Sequence, residues 1–136
     1  MIIDSSAIMR VLLKEPGADR ILAILQVSEG LKVSAANCLE LFVVVDRKRD
    51  PELSAELDLL IEAAQIEIVP FDRRMAQVAR LAFRTYGKGM HSQARLNFGD
   101  CFAYALAKET GEPLLFVGND FTHTDVIPAL DPPIEV

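Results

Sequence analysis

Apolar residues along this chain fall into two kinds of segment. Some are short continuous runs bounded by polar or breaking residues, and others are longer stretches in which apolar positions recur every three or four residues. The first short run is Ile2-Ile3, which leads directly into Asp4. A continuous apolar pair of this kind reads as a strand buried on both faces, as in a parallel sheet. Leu31–Val33, after the breaker Gly30, reads as a second strand; Ile66–Val69, ending at Pro70, as a third; and Leu114–Val117, behind Pro113, as a fourth. Between them the helical period dominates. It runs through Ala7–Leu13 as far as the breaker pair Pro16-Gly17 and resumes over Ala18–Val27 with Ile21, Leu22 and Leu25. Ser34 is placed to cap a helix over Ala35–Lys48, and Pro51 suits the first turn of the next, where Leu53, Leu57, Leu60, Ile61 and Ala64 share one face.

Asp72 opens a further helix, with Met75, Val78, Ala79, Ala82, Phe83 and Tyr86 on one side and Arg73, Arg80 and Arg84 on the other. Gly87–Phe98, with its glycines and mixed polar residues, reads as a loop. Gly99-Asp100 then opens a helix over Cys101–Glu109 that ends at Gly111. That helix is apolar nearly all round, which predicts a central position. The tail, with Pro128, Pro132 and Pro133, leaves room for at most a short edge strand near Ile134. Strands separated by pairs of helices predict a parallel sheet with helices on both faces.

Composition narrows the class. A chain of 136 residues, 51% apolar and 25% charged, suits one soluble globular domain. No apolar run approaches the roughly 18–20 residues of a membrane span, the candidate around Leu39–Val45 being far too short, and Asp4 and Arg10 interrupt any leader-like stretch. Cys38 and Cys101 are isolated and lack metal-ligand spacing, as expected of buried free thiols in a reducing cytoplasm. The net charge of −6 argues against a general nucleic-acid binder, but the charge is segregated. Acids and no bases occupy Asp50 to Asp72, whereas bases and no acids occupy Arg73 to Gly99. Such a distribution fits either one basic face on an acidic molecule or two solvated helix faces.

Four carboxylates stand among apolar neighbours: Asp4 at the end of the first strand, Glu40 within Cys38–Val44, Asp100 at the start of the central helix, and Asp120 after the fourth strand. In a parallel sheet, the carboxyl ends of strands and the starts of the helices that follow share one rim, where ligands bind. Asp4, Asp100 and Asp120 are expected there, with Glu40 nearby from the second turn of its helix. Each has an ordinary structural role open to it. Asp4 and Asp100 suit helix caps, Asp120 suits a turn, and Glu40 suits solvent under a different helix phase. Together they make another pattern. Clustered carboxylates raise one another's pKa unless a cation neutralises them, and oxygen ligands without His or Cys suit Mg²⁺ or Mn²⁺.

Ile2-Ile3-Asp4-Ser5-Ser6-Ala7, the mid-chain Glu40, Asn97-Phe98-Gly99-Asp100-Cys101 and the run from Leu115 to Phe121 together resemble a PIN-domain ribonuclease. More narrowly, they resemble the VapC toxins of bacterial toxin–antitoxin pairs, over Met1 to about Val126. The resemblance implies an α/β fold, a three-layer α/β/α sandwich around a central, mainly parallel sheet of four to five strands, as one nuclease domain over residues 1–136. It also implies Mg²⁺- or Mn²⁺-dependent endonucleolytic cleavage of RNA, of tRNA or ribosomal RNA in relatives of this kind, which inhibits translation in the cytoplasm. A cognate VapB-type antitoxin, whose C-terminal segment covers the site, and a homodimer are further implications. Carried over residue by residue, Asp4, Glu40, Asp100 and Asp120 match the acidic quartet that holds metal and performs catalysis, and Ser6 matches the hydroxyl that orients the first acid. Asn119 stands where many members have Thr, Ser or another residue, a position implied to support the metal or the substrate.

Weaker signals are Arg95, His91 and Lys88, in the loop before Asp100, where they can meet RNA phosphates. His91 and His123 share no ligand spacing and read as structural. The helices at 18–27 and 51–65 carry more apolar positions than a small sheet needs, which suits a partner or self-association. A phosphatase with an Asp after its first strand would want a second acid where Ser6 stands, and no Gly-rich phosphate loop follows any strand. The remaining alternatives are a PIN nuclease of RNA processing without an antitoxin, and an inert PIN-like protein-binding module. The second of these predicts a broken acidic set.

Overall fold

The structure, a computed structural model, describes residues 1–136. Its elements are β1 (Ile2–Ile3), α1 (Ser5–Leu12), α2 (Ala18–Val27), β2 (Lys32–Ser34), α3 (Ala35–Asp46), α4 (Pro51–Ala63), β3 (Glu67–Val69), α5 (Arg73–Tyr86), α6 (Phe98–Thr110) and β4 (Leu114–Leu115). The strands form one sheet in the order β3-β2-β1-β4, every pair parallel, with Ile2 opposite Lys32 on one side and Leu114 on the other.

Adjacent residues of a strand point to opposite faces, and the apolar pairs use this to build two cores. Ile3, Val33 and Leu115 pack with Ile8, Ile21, Leu25, Leu41 and Leu57 from α1 to α4. Ile2 and Leu114 pack on the other face with Ala79 and Ala82 of α5 and with Ala103–Ala107 of α6. Helices on both faces of a parallel sheet make the expected three-layer α/β/α sandwich. α6 is buried along most of its length, as its all-round apolar sequence predicts. Both cysteines are buried and free. No helix is long and apolar enough to cross a membrane.

Several boundaries differ from the sequence expectation by a residue or two, β2 (Lys32–Ser34), β3 (Glu67–Val69) and the end of α3 (Asp46) among them, and at three others a polar side chain is the reason. α1 starts at Ser5 rather than Ala7, because the Asp4 carboxylate caps it by accepting from the Ser6 N–H. α6 starts at Phe98 rather than Cys101, because Asn97 caps it in a reciprocal box with Asp100. Asp100 is therefore the third residue of the helix and not its opening one, and the loop ends a residue before Phe98. The fourth strand stops at Leu115 rather than Val117, because the Val117 N–H donates to the Ser6 hydroxyl and leaves the ladder. The edge strand near Ile134 is reduced to one bridge with Val117, so the sheet has four strands. Ser34 stands at the N-cap position of α3, but its hydroxyl makes no capping bond.

The loop 87–97 is closed at its base by two backbone bonds, Lys88 N–H to the Leu96 carbonyl at 2.9 Å and Leu96 N–H to the Tyr86 carbonyl at 3.0 Å. Inside it, Nδ1 of His91 accepts from the N–H groups of Gln93 and Ala94. His91 thus has the structural role expected of it, ordering the loop that delivers Asn97.

Candidate active site

The carboxyl rim of the sheet holds a cleft of about 260 Å³. Asp4, Glu40, Asp100 and Asp120 all line it, together with Ser5, Ser6, Asn97 and Gly99. Residues spread over more than a hundred positions meet because β1 and β4 are neighbours and the helices α1, α3 and α6 all begin at the same rim, Glu40 reaching it from the second turn of α3. Arg95 and Asn119 are exposed and do not line the cleft, and His123 is exposed as well. Of the residues expected to assist, the structure therefore brings Ser6 to the acids and leaves Asn119 and Arg95 outside.

Each acid is held by its own neighbours. Asp4 is 3% exposed. Its Oδ2 accepts from the N–H of Ser6 at 3.0 Å and from the Ser6 hydroxyl. The same hydroxyl accepts from the Val117 N–H at 3.0 Å, so Ser6 ties the first acid to the strand beside it. Asp100 Oδ2 accepts from the Asn97 N–H at 2.9 Å, while the Asn97 side chain accepts from the Asp100 N–H at 2.9 Å. Glu40 Oε1 accepts from the Ser5 hydroxyl at 2.8 Å and from Asn37 Nδ2 at 3.5 Å. Asn37, fully buried, also donates to the Gly99 carbonyl at 2.9 Å and so joins α3 to the first turn of α6.

Glu40 reaches the cleft for a different reason from the one its apolar neighbours suggested. Its residue is exposed, as are Leu39, Val43 and Val44, so the acid is not buried among them. What directs its carboxylate inward is the pair of donors Ser5 and Asn37. Those two, Asn97 and Gly99 are the site residues that sequence reasoning missed. A signal for one was present: Asn followed three positions later by an acid has the spacing of a reciprocal cap. Nothing local marks Ser5, whose partner Glu40 lies 35 residues away, or the bond of Asn37 to Gly99, 62 residues away.

Burial and crowding set the electrostatics. Burial raises the Asp4 carboxyl from 3.8 to about 6, against the lowering effect of its bonds to Ser6, with the Glu40 charge adding to the rise. Asp100 is also pushed well up, first by burial and then by the charges of Asp4 and Asp120. Asp120 is close enough to take a hydrogen bond from a protonated Asp100. A cation would relieve this repulsion. No three acidic, His or Cys side chains are drawn together as a closed ligand set. The donors nevertheless fit a hard divalent ion, because Asp4 Oδ1 is buried without any hydrogen-bond partner, in a cleft lined by three further carboxylates.

Ser6→Ala tests the support of Asp4. It removes the donor to Oδ2 and strands the Val117 N–H, a loss expected to cost about 1–3 kcal/mol. Denaturant unfolding is the measurement. A stability unchanged within error would show that the hydroxyl bridge carries no weight.

Known proteins share this sequence and this fold. The PIN domain family model matches residues 1–127. Ribonuclease VapC42 of Mycobacterium tuberculosis is 45% identical over 129 residues, covering 95% of this chain and 98% of that protein. Ribonuclease VapC28 of the same organism is 46% identical over 131 residues, covering 96% and 98%. Among solved structures, M. tuberculosis VapC20, described as a Sarcin-Ricin loop cleaving toxin, superposes with a TM-score of 0.72 at 10% identity, over 93% of this chain and 95% of that one. A toxin-antitoxin complex from Klebsiella pneumoniae superposes with a TM-score of 0.71 at 13% identity, over 99% and 98%. Near-complete matches to proteins of one name, and a sheet rim that gathers the acids in the order the sequence placed them, have a common explanation: this chain belongs to the PIN domain family, among the VapC ribonucleases.

Proposed function

We propose that the acidic cleft is the active site of a Mg²⁺- or Mn²⁺-dependent endoribonuclease, acting in the cytoplasm as the toxin of a toxin–antitoxin pair within one domain, residues 1–136. The observation that carries this is the buried, unpartnered Oδ1 of Asp4 in a cleft lined by Glu40, Asp100 and Asp120. Asp4, Asp100 and Asp120 would hold the ion, with Glu40 at the edge. When bound, it supplies positive charge against the carboxylates and against the charge that develops on the phosphate in transit.

The chain's own groups do the positioning. Ser6 and Asn97 each occupy one oxygen of Asp4 and Asp100, which fixes the direction of the other. Glu40, held by Ser5 and Asn37, orients the attacking water and takes its proton. The water oxygen bonds to phosphorus as the bond to O3′ breaks, and O3′ takes a proton from solvent, leaving a 5′-phosphate and a 3′-hydroxyl.

The identity of about 45% to ribonucleases of the VapC name supports RNA as substrate. The likeness in fold to VapBC2 of Rickettsia felis, TM-score 0.66 at 17% identity, fits a VapB-type antitoxin as partner. Val27, 83% exposed on α2, and Leu59, 63% exposed on α4, are apolar positions open to such a partner or to a second copy in a homodimer.

Incubation of the purified chain with total RNA tests the activity. Cleavage is expected with Mg²⁺ or Mn²⁺, to stop on chelation with EDTA, and to leave 5′-phosphate ends. Undiminished cleavage in EDTA, or 2′,3′-cyclic phosphate ends, would overturn the assignment.

A further inference from the structure

The first turn of α6 separates two hollows. Gly99 and Asp100 face the acidic cleft, while Phe98, Cys101 and Phe102 face a second hollow of about 430 Å³ against α5. This second hollow is aromatic. Phe98 meets Phe102 edge to face with ring centroids 4.9 Å apart, and Phe102 meets Phe71 in the same way at 4.8 Å. Phe83 and Arg80 close the side formed by α5. Phe98 is 80% exposed. Folding gains little from a ring left in water, so its place at the mouth of the hollow asks for another reason.

The surroundings are cationic. Arg73 to Gly99 contains six bases and no acid. Of those bases Arg74 alone is engaged, with Glu109; Arg80 and Arg84, one helical turn apart on α5, have no carboxylate partner. Unneutralised guanidinium groups beside an apolar slot suit a ligand that is both polyanionic and flat-faced. Single-stranded RNA is such a ligand, since proteins hold it by stacking splayed bases on aromatic rings and by cationic contacts to phosphates.

We propose that this hollow receives an unpaired RNA base next to the scissile phosphate, stacked on Phe98, with Arg80 and Arg84 against the adjoining phosphates. The proposal rests on the assignment of the acidic cleft to RNA cleavage. A strand with a phosphate in that cleft crosses the first turn of α6, and the base on the far side meets Phe98. The slot then contributes to the choice of cut site, because purines and pyrimidines stack with different strength.

Binding is measured by anisotropy of a labelled single-stranded RNA that the chain cuts, using the Asp4→Asn background to prevent turnover. Phe98→Ala is expected to weaken binding on the order of 10-fold, and Phe98→Tyr to retain it. An RNA with an abasic residue beside the scissile bond should bind as weakly as RNA does to the Ala variant, with no further loss on combining the two. In the otherwise unaltered chain, Phe98→Ala should raise KM more than it lowers kcat and flatten the base preference at the cut, with an unchanged melting temperature. Equal RNA affinity with and without Phe98 overturns the proposal, as does a loss confined to binding of an apolar peptide partner. If the unaltered chain cuts no RNA, a labelled oligouridylate serves as the probe instead; weaker binding by Phe98→Ala then means that the assignment of the acidic cleft fails while base stacking on Phe98 stands without its link to a cut site.

Discussion

Asp4→Asn is expected to abolish RNA cleavage, on the order of 10³-fold or more, while the chain melts at a higher temperature than the unaltered one at pH 8. The two effects share a cause. Asp4 is nearly fully buried, its Oδ1 has no partner, and Glu40 and Asp100 add negative charge nearby. Its carboxyl rises from 3.8 to about 6 on folding, which corresponds to about 3 kcal/mol against the ionised form. The folded chain thus holds this proton more tightly than the unfolded one. The penalty is absent below pH 3.8, grows as the pH rises, and is complete above about 6. Asparagine keeps an acceptor for Ser6 and removes the charge. Its advantage in melting temperature, roughly 5 °C or more at pH 8, should therefore shrink towards zero as the pH falls to 4. Mg²⁺ should raise the melting temperature of the unaltered chain at pH 8 and leave that of the variant unmoved. An Asn variant that still cuts RNA would remove Asp4 from the machinery, and one equally stable at pH 8 and pH 4 would show that its burial carries no electrostatic cost.

Gly99→Ala should separate activity from stability in a different way. A Cβ at this position would run into Oε2 of Glu40, so the two cannot keep their places. The atom in the way is the end of a flexible, exposed side chain, and Glu40 can swing aside at little cost to folding. Alanine also suits a helical position better than glycine, by at most about 0.5–1 kcal/mol in this first turn. The expected result is an unchanged or slightly higher melting temperature with kcat lower by about 10²-fold, the scale on which a misplacement of about 1 Å acts. Glycine stands here to let α3 approach α6, a contact completed by Asn37 on the Gly99 carbonyl. A variant with normal kcat would show that the Glu40 carboxylate need not sit where the structure holds it. Combining Gly99→Ala with Glu40→Gln distinguishes displacement of Glu40 from any other effect, because the glycine substitution should add little once the carboxylate is gone.

These expectations draw on residues of two sorts. Asp4, Asp100 and Asp120 were legible in the sequence because each follows or begins an element whose end was marked: the strand pair Ile2-Ile3, the apolar run of α6 and the strand after Pro113. Glu40 was legible by its isolation and by resemblance, although its burial was misjudged, since period alone does not fix which side of α3 meets solvent. Asn119, marked by the resemblance, and Arg95, marked by its place in the loop before Asp100, do not line the cleft. Closeness along the chain does not determine direction at a turn or in a loop. Phe98, read as the end of a loop, is the first residue of α6 and divides the two hollows.

By itself the sequence determined what local physics can determine. Continuous apolar pairs specified strands with two buried faces, the helical period specified the layers around them, and the rule that strand ends and helix starts share a rim gathered the acids. Only the tertiary structure decided how those acids are held. Ser6 joins Asp4 to Val117, Ser5 and Asn37 turn Glu40 inward, and Gly99 clears the space it occupies. Apart from Asn37 to Glu40, which lies within α3, these are contacts between segments far apart in the chain, made by small polar or bare residues with no periodicity to announce them, and they exist only once the sheet has brought β1, α3 and α6 to one edge.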